Sequence, residues 1–307
     1  MIWFFVQNRG SIVWRVLLAL CYRAFSHRVI PELTILACCV DGVACAESPA
    51  LRVMTYNVRY ASDQGPHRWQ LRRPIARQML AEQRPDVIGM QEAFYRQVKD
   101  FEQDLPAHGW IGLGREGGSR SEFMAVFFRR DRLEPLEFNH YWLSDTPHVV
   151  GSATWGHSNR RMVTWVRFRD RASKQQFYFV NTHFDHEVRI AREKSARLVL
   201  QRMAKWNTEV PVLLVGDFNA AAEKSRVYSL LVGSDRLTDT WLAAATRGEL
   251  FATFHGYRGP RRSGARIDWI LSRGAVRARS SEIITFQQQG RFPSDHFPVV
   301  ADVQIGP

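Results

Sequence analysis

The feature that most constrains the fold of this chain is a series of short apolar runs, each meeting a polar side chain just where strand gives way to loop. Leu51-Arg52-Val53-Met54-Thr55-Tyr56-Asn57 alternates apolar and polar residues as a strand does and ends on Asn57. Val87-Ile88-Gly89-Met90 is continuous, as in a strand covered on both faces, and delivers Gln91 and Glu92 to its end. The runs at 177–182 and 211–215 lead into His183 and into Gly216-Asp217-Phe218-Asn219. Those at 267–271 and 299–303 carry Asp268 within them and Asp295-His296 just ahead of them. Further strands are expected at 123–129 and 162–168. Helical spacing occupies 75–80, 94–105 and 189–206, with Pro85-Asp86 stopping the first. Strands alternating with helices define an α/β protein, and the glycine-rich stretch 112–121 is a loop, weak evidence for phosphate binding by itself.

With 45% apolar and 23% charged residues, the chain can bury a core and still face water. Its formal charge of +12 comes mostly from arginine and favours anionic partners, although arginine-rich coding bias would give the same figure. The arginines are spread along the 307 residues, so charge alone selects no substrate. All four cysteines, Cys21, Cys38, Cys39 and Cys45, precede Glu47, and the catalytic part needs no disulfide. Residues 1–46 read as an N-terminal extension carrying an export signal, with residues 47–307 as the single catalytic domain. Ala44-Cys45-Ala46 has the small residues of a cleavage site; Glu32, Pro31 and Asp41 interrupt the apolar stretch before it. Ile35-Leu36-Ala37-Cys38 offers a lipoprotein box as an alternative, and a disordered or membrane-lying extension is another. The expected location is periplasmic or secreted, and cytoplasmic if the signal reading is wrong. No apolar run is long enough for a transmembrane span.

Asn57, Glu92, His183, Asp217, Asn219, Asp268, Asp295 and His296 all fall at or beside strand ends, where a rigid sheet gathers side chains at the mouth of its loops. Taken singly, each has an ordinary explanation. Asn57 suits a turn, Glu92 a helix cap, His183 a packed core histidine, and Asp217-Phe218-Asn219 and Asp295-His296 loop punctuation. Together they form a set of carboxylate, amide and imidazole groups suited to a hard divalent cation such as magnesium (Mg2+) or manganese (Mn2+).

Met-Thr-Tyr-Asn at 54–57, Gly-Met-Gln-Glu at 89–92, Asn-Thr-His at 181–183, Gly-Asp-Phe-Asn at 216–219, Arg-Ile-Asp at 266–268 and Ser-Asp-His-Phe-Pro at 294–298 occur in one order. In that order the chain resembles the endonuclease/exonuclease/phosphatase superfamily, over about residues 51–305. The resemblance implies a four-layer α/β/β/α sandwich, with two packed mixed β-sheets flanked by helices. It implies that Glu92 binds the metal, with Asn57 and Asp295 completing or supporting the site. Asp217 and Asn219 would orient the attacking water and hold the phosphate. His296, paired with Asp268, would contact the scissile phosphate, and His183 would sit near the leaving oxygen. Arg59 stands where apurinic endonucleases of the superfamily carry a metal-binding aspartate, which counts against abasic-site repair. Asn-Val-Arg-Tyr at 57–60, Trp69 to Arg72, Tyr141-Trp142-Leu143-Ser144 and the stretch through Asp185 and His186 look like a bacterial subgroup whose substrates are mostly unassigned.

The expected function is therefore hydrolysis of a phosphate ester, as a phosphodiesterase or phosphatase, by a metal-activated water. The partner would be a phosphoester substrate, whether a small molecule, lipid-linked or nucleic acid, and no stable protein partner is implied. A nonspecific nuclease and a noncatalytic phosphate-binding module on the same scaffold are the alternatives. Loops decide substrate on such a scaffold, and their shape is not written in these patterns.

Overall fold

The computed structural model describes residues 49–233 and 236–306, so the export, lipoprotein and cysteine readings before Glu47 lie outside the described residues. In chain order the elements are β1 (Leu51–Asn57), α1 (Trp69–Gln83), β2 (Val87–Phe94), α2 (Tyr95–Asp104), β3 (His108–Ile111), β4 (Glu122–Arg129), β5 (Leu133–Trp142), β6 (Met162–Asp170) and β7 (Gln176–His183). There follow α3 (Arg189–Met203), β8 (Val212–Asp217), α4 (Arg226–Leu231), β9 (Thr238–Asp239), α5 (Thr240–Ala243), β10 (Thr246–Arg247), β11 (Asp268–Arg273), β12 (Val276–Ile283) and β13 (Val299–Ile305). A seven-stranded sheet has the order β10-β12-β13-β1-β2-β4-β3, and a six-stranded sheet the order β5-β6-β7-β8-β11-β9. Both are mixed: β1 is parallel to β2 and antiparallel to β13, and β7 is parallel to β8, which is antiparallel to β11.

The continuous apolar runs are explained by what covers each face. Val53 and Val87 pack inward against Phe168, Phe179, Leu213 and Val215 of the other sheet. Their neighbours Met54 and Ile88 turn outward to Ala76, Met79, Val98 and Phe101 of α1 and α2. On the far side Val180 and Leu214 meet Ala196, Val199 and Met203 of α3. Successive side chains of a strand point to opposite faces, so a strand with helices on one side and a second sheet on the other must be apolar at every step. The result is the four-layer α/β/β/α sandwich. No helix among the described residues is long and apolar enough to cross a membrane.

Some elements differ from the sequence expectation for identifiable reasons. The helix expected at 75–80 begins at Trp69 and carries Pro74 inside it. The turns ahead of the proline are held by Arg72, 2% exposed, whose guanidinium donates to the carbonyls of His67, Val58, Pro293, Arg59 and Tyr60 at 2.7–3.1 Å. The strand β5, where no element is expected from the sequence, carries Pro135 within it. It lies at the edge of its sheet, and its ladder with β6 shifts register between Pro135 and Glu137, where a proline is tolerated. The last helix expected through 206 ends at Met203.

Candidate active site

Strand pairing decides which polar side chains meet. His183 at the end of β7 lies opposite Asp217 at the end of β8, and Asp268 at the start of β11 lies opposite Asp217 on its other side. In the first sheet Asn57 at the end of β1 lies opposite Gln91 of β2. Because β13 runs antiparallel to β1, its entry through Asp295 and His296 falls at the same edge. Ser294 fixes that entry by donating its hydroxyl to the Asn57 carbonyl at 2.6 Å. The ladder between β2 and β4 is irregular between Met90 and Ala93, and Glu92 within that bulge has φ 65°. A bulge of this kind re-aims one side chain, here the Glu92 carboxylate toward the mouth of the sandwich.

The structure brings together every residue singled out from the sequence. The Asn57 amide donates to Glu92 Oε1 at 2.9 Å and to Asp217 Oδ2 at 3.0 Å, joining the two sheets. Its own oxygen accepts from the Arg59 backbone at 3.0 Å. Asn219, at φ 46°, closes a tight turn by donating its backbone N–H to Asp217 Oδ1 at 2.9 Å. His296 Nδ1 lies 3.0 Å from Asp268 Oδ2, and its Nε2 lies 3.8 Å from Asp217 Oδ2. Glu92, His183, Asp217, Asn219, Asp295 and His296 line a cleft of about 560 Å3. Asn57 and Asp268 are buried behind it, so they act through Glu92, Asp217 and His296.

The charges in this cleft are strongly perturbed. Burial, reinforced by the neighbouring Asp268, pushes Asp217 up to about 7, with His296 opposing. Burial works against a charged His296, yet Asp268 and Asp217 outweigh it and hold the ring's proton up to about 10. Burial also opposes the charge of Glu92, but the Asn57 hydrogen bond and the cations His296, Arg59 and Arg115 keep it below the usual carboxylate range. Asp295 is raised by burial, with His296 opposing and Glu92 adding to the rise. His183 is driven well below its usual value by burial and by Arg161 and Arg115, so it is a neutral ring. Arg115, which can only donate, lies 2.8 Å from Nδ1 and claims its lone pair, leaving the proton on Nε2, 3.3 Å from Asp217 Oδ2. The Asn219 amide, 3.0 Å from the same nitrogen, spends an N–H on the Phe184 carbonyl at 3.1 Å.

Two groups of oxygen donors could attract a cation. The ligand atoms of Asp217, Asp268 and His296 lie within 4.8 Å of one another. A ring that keeps its proton on both nitrogens has no lone pair to give, so His296 is a poor ligand there. The carboxylates of Glu92 and Asp295 face the cleft with hard oxygens. Arg59 lies between them, 3.7 Å from Glu92 Oε2 and 3.6 Å from Asp295 Oδ2, which marks the spot as attractive to positive charge.

Sequence reasoning missed several residues of the cleft wall. Arg115 lies within the glycine-rich loop and Glu122 directly after it, Asn159 and Arg161 precede β6, and Phe254 stands with its ring 5.1 Å from that of His296. Among these only the glycine-rich stretch carried a signal, and it was too general to single out Arg115.

These features define a phosphoester-hydrolase scaffold, and the chain belongs to the Endonuclease/Exonuclease/phosphatase family, a model of which matches residues 54–296. Members of this family are hydrolases of phosphoester bonds and are generally metal-dependent. An endonuclease/exonuclease/phosphatase structure from Bacteroides vulgatus is 32% identical, covers 84% of this chain and 99% of its own, and superimposes with a TM-score of 0.79. A structure from Bacteroides thetaiotaomicron described as a mannosyl-6-phosphatase is 31% identical, covering 82% of this chain and 99% of its own, with a TM-score of 0.77. Nocturnin of Drosophila melanogaster is 24% identical over 183 residues, 55% of this chain but 27% of that protein's length.

Proposed function

We propose that this protein is a divalent-metal-dependent hydrolase of phosphate esters in which water attacks phosphorus in line with the leaving oxygen. The observation that carries the reading is Asp217. It is a buried carboxyl poised near neutrality at about 7, reached by Asn57, Asn219 and His183 and opening onto the same cleft as Glu92 and Asp295. Glu92 and Asp295 would hold Mg2+ or Mn2+, with Asn57 orienting the Glu92 carboxylate. Such a cation supplies charge that draws electron density from the phosphoryl group and makes water a stronger acid. Asp217 takes or steers the proton of the attacking water, and Asn219 fixes the loop that places it. His296, kept protonated by Asp268, donates to the phosphate as negative charge builds on its oxygens. Neutral His183 sits beside Asp217 on the side of the leaving oxygen.

The mannosyl-6-phosphatase at 31% identity supports phosphatase chemistry on a small molecule. The formal charge of +12 favours a nonspecific nuclease as the second reading. A hydrolysis screen over sugar phosphates, inositol phosphates, nucleotides, phospholipid headgroups and nucleic acid, with magnesium, manganese or chelator, tests both. Glu92→Gln should weaken metal binding and activity with the fold intact, and full turnover in excess chelator would remove the metal from the account. With residues 1–46 as an export segment ahead of a catalytic domain at 47–307, the activity would lie outside the cytoplasm. Finding the residues before Glu47 retained on cytosolic protein, by N-terminal sequencing, would overturn that placement.

A further inference from the structure

Arg115 and Arg161 stand in the wall of the cleft and have no part in the steps above. Both are 3% exposed, yet both line the open space beside Asp217 and His183. Arg115, on the loop between β3 and β4, lies 2.8 Å from His183 Nδ1 and 2.7 Å from Glu122 Oε2, and its Nε is buried without a partner. Arg161, one residue before β6, lies 2.8 Å from His186 Nδ1 and 3.4 Å from Asp185 Oδ2. Burial draws Arg115 down to about 10, with Glu122 opposing the fall and the neighbouring Arg161 adding to it. The two guanidinium groups are buried in the wall yet border the open space, which they share with the carboxylates of Glu92, Glu122 and Asp217, so they are placed to donate to the oxygens of a bound anion.

We propose that Arg115 and Arg161 seat the terminal oxygens of a phosphomonoester dianion, making the enzyme selective for phosphomonoesters over the internal diesters of nucleic acids. The proposal rests on the phosphoester-hydrolase reading above and names its substrate class. A monoester near neutral pH carries close to two negative charges and three unsubstituted oxygens, all able to accept from guanidinium groups. A diester carries one charge, and its second carbon substituent occupies the place of one of those oxygens. Seating it would turn carbon toward donors already shut away from water, which disfavours it by roughly tenfold to a hundredfold for each donor left unmatched. A cleft of about 560 Å3 has room for a small phosphorylated molecule.

The test compares p-nitrophenyl phosphate with bis(p-nitrophenyl) phosphate on the full chain in magnesium or manganese. Alongside, calorimetry measures binding of inorganic phosphate and of dimethyl phosphate to the Asp217→Asn protein. The wild type should favour the monoester by tenfold or more in kcat/KM and should bind inorganic phosphate but not dimethyl phosphate. Arg161→Met should shift the monoester-to-diester ratio at least tenfold toward the diester and weaken inorganic phosphate binding to a similar degree. Arg161→Lys, which keeps the charge without the planar fork, should recover part of both. Equal turnover of the two esters by the wild type, which needs no variant to fold, overturns the proposal. So does an equal loss on both esters in an Arg161 variant with an unchanged melting curve. Failure to hydrolyse either ester would instead strike the hydrolase reading, and phosphate binding would still judge the arginine seat.

Discussion

Asn181 sits between the sheets, fully buried near the end of β7, and its replacement probes how the site is held in register. Its amide nitrogen donates to the carbonyls of Met90 in β2 and Ala125 in β4, both at 2.9 Å, and its oxygen accepts from the Gln91 side chain at 2.7 Å. Asn181→Leu removes these bonds while keeping the number and branching of side-chain heavy atoms, though its methyl groups are bulkier than the amide. Each such bond contributes about 0.5–1.5 kcal/mol net, so the expected loss is about 2–4 kcal/mol. Gln91 is not stranded, because it still reaches the Gly89 carbonyl at 3.0 Å and Thr55 Oγ1 at 3.2 Å. Asn181→Asp is the more telling variant. It keeps the shape but sets an oxygen against two carbonyl oxygens, or else confines a proton to one of them, and should cost above about 4 kcal/mol. Urea unfolding followed by tryptophan fluorescence reads these values, and the leucine variant should melt about 5–15 °C lower. Gln91 adjoins Glu92, so activity should fall further than the folded fraction explains. If aspartate is tolerated as well as leucine, or leucine costs under about 0.5 kcal/mol, this amide does not join the sheets.

Asp217→Asn should lower turnover about 10²-fold to 10³-fold while substrate binding and the circular dichroism spectrum are kept, which separate kinetic and calorimetric measurements would check. Arg72→Met strips the donors from the carbonyls of His67, Val58, Pro293, Arg59 and Tyr60 and should destabilise the fold by about 3–5 kcal/mol on denaturant titration, where a loss under about 1 kcal/mol would show those bonds to be dispensable. Burial pulls His140 down to about 4 in the fold, against about 6.5 unfolded, so its contribution is complete above pH 6.5 and is lost as the pH falls toward 4. That loss should reach at most about 3 kcal/mol, reduced because the ring is partly exposed, and the stability difference between His140→Gln and wild type should change across this window and stay flat above it.

The candidate site was legible as a set of positions because its residues lie where periodicity places strand ends. Once 51–57 is a strand, Asn57 must be at its end, and the same holds for His183 at the end of β7 and Asp217 at the end of β8. Which ends adjoin is a matter of topology, and there the order of motifs, read as a resemblance, supplied what spacing could not. The elements that were missed are those where tertiary contacts override local pattern. Pro135 in β5 is tolerated at a sheet edge, and Pro74 in α1 lies just beyond turns anchored by Arg72 through bonds to distant carbonyls. The bulge that turns Glu92 to φ 65° had no trace in Gln91-Glu92-Ala93, since its cause is the mismatch with β4.

The basic charge was the least informative feature, and the structure gives the reason. Arg72 is spent on backbone carbonyls, Arg266 lies 2.6 Å from Asp239 with both groups buried, and Arg59 lies between Glu92 and Asp295. A formal charge counts these equally with arginines open to solvent, although a buried, partnered guanidinium steers no polymer from a distance. Arg115 and Arg161 differ in being buried while bordering open space, a distinction that depends on loop geometry. Gly114 allows that geometry, since a β-carbon there would lie 1.9 Å from the Arg120 carbonyl oxygen. Because the loop closes that tightly, Arg115 is carried inward to His183 instead of outward to solvent. On the proposed reading, chemistry would be set by strand ends that periodicity exposes, and choice of substrate by arginines whose place only the folded loops decide.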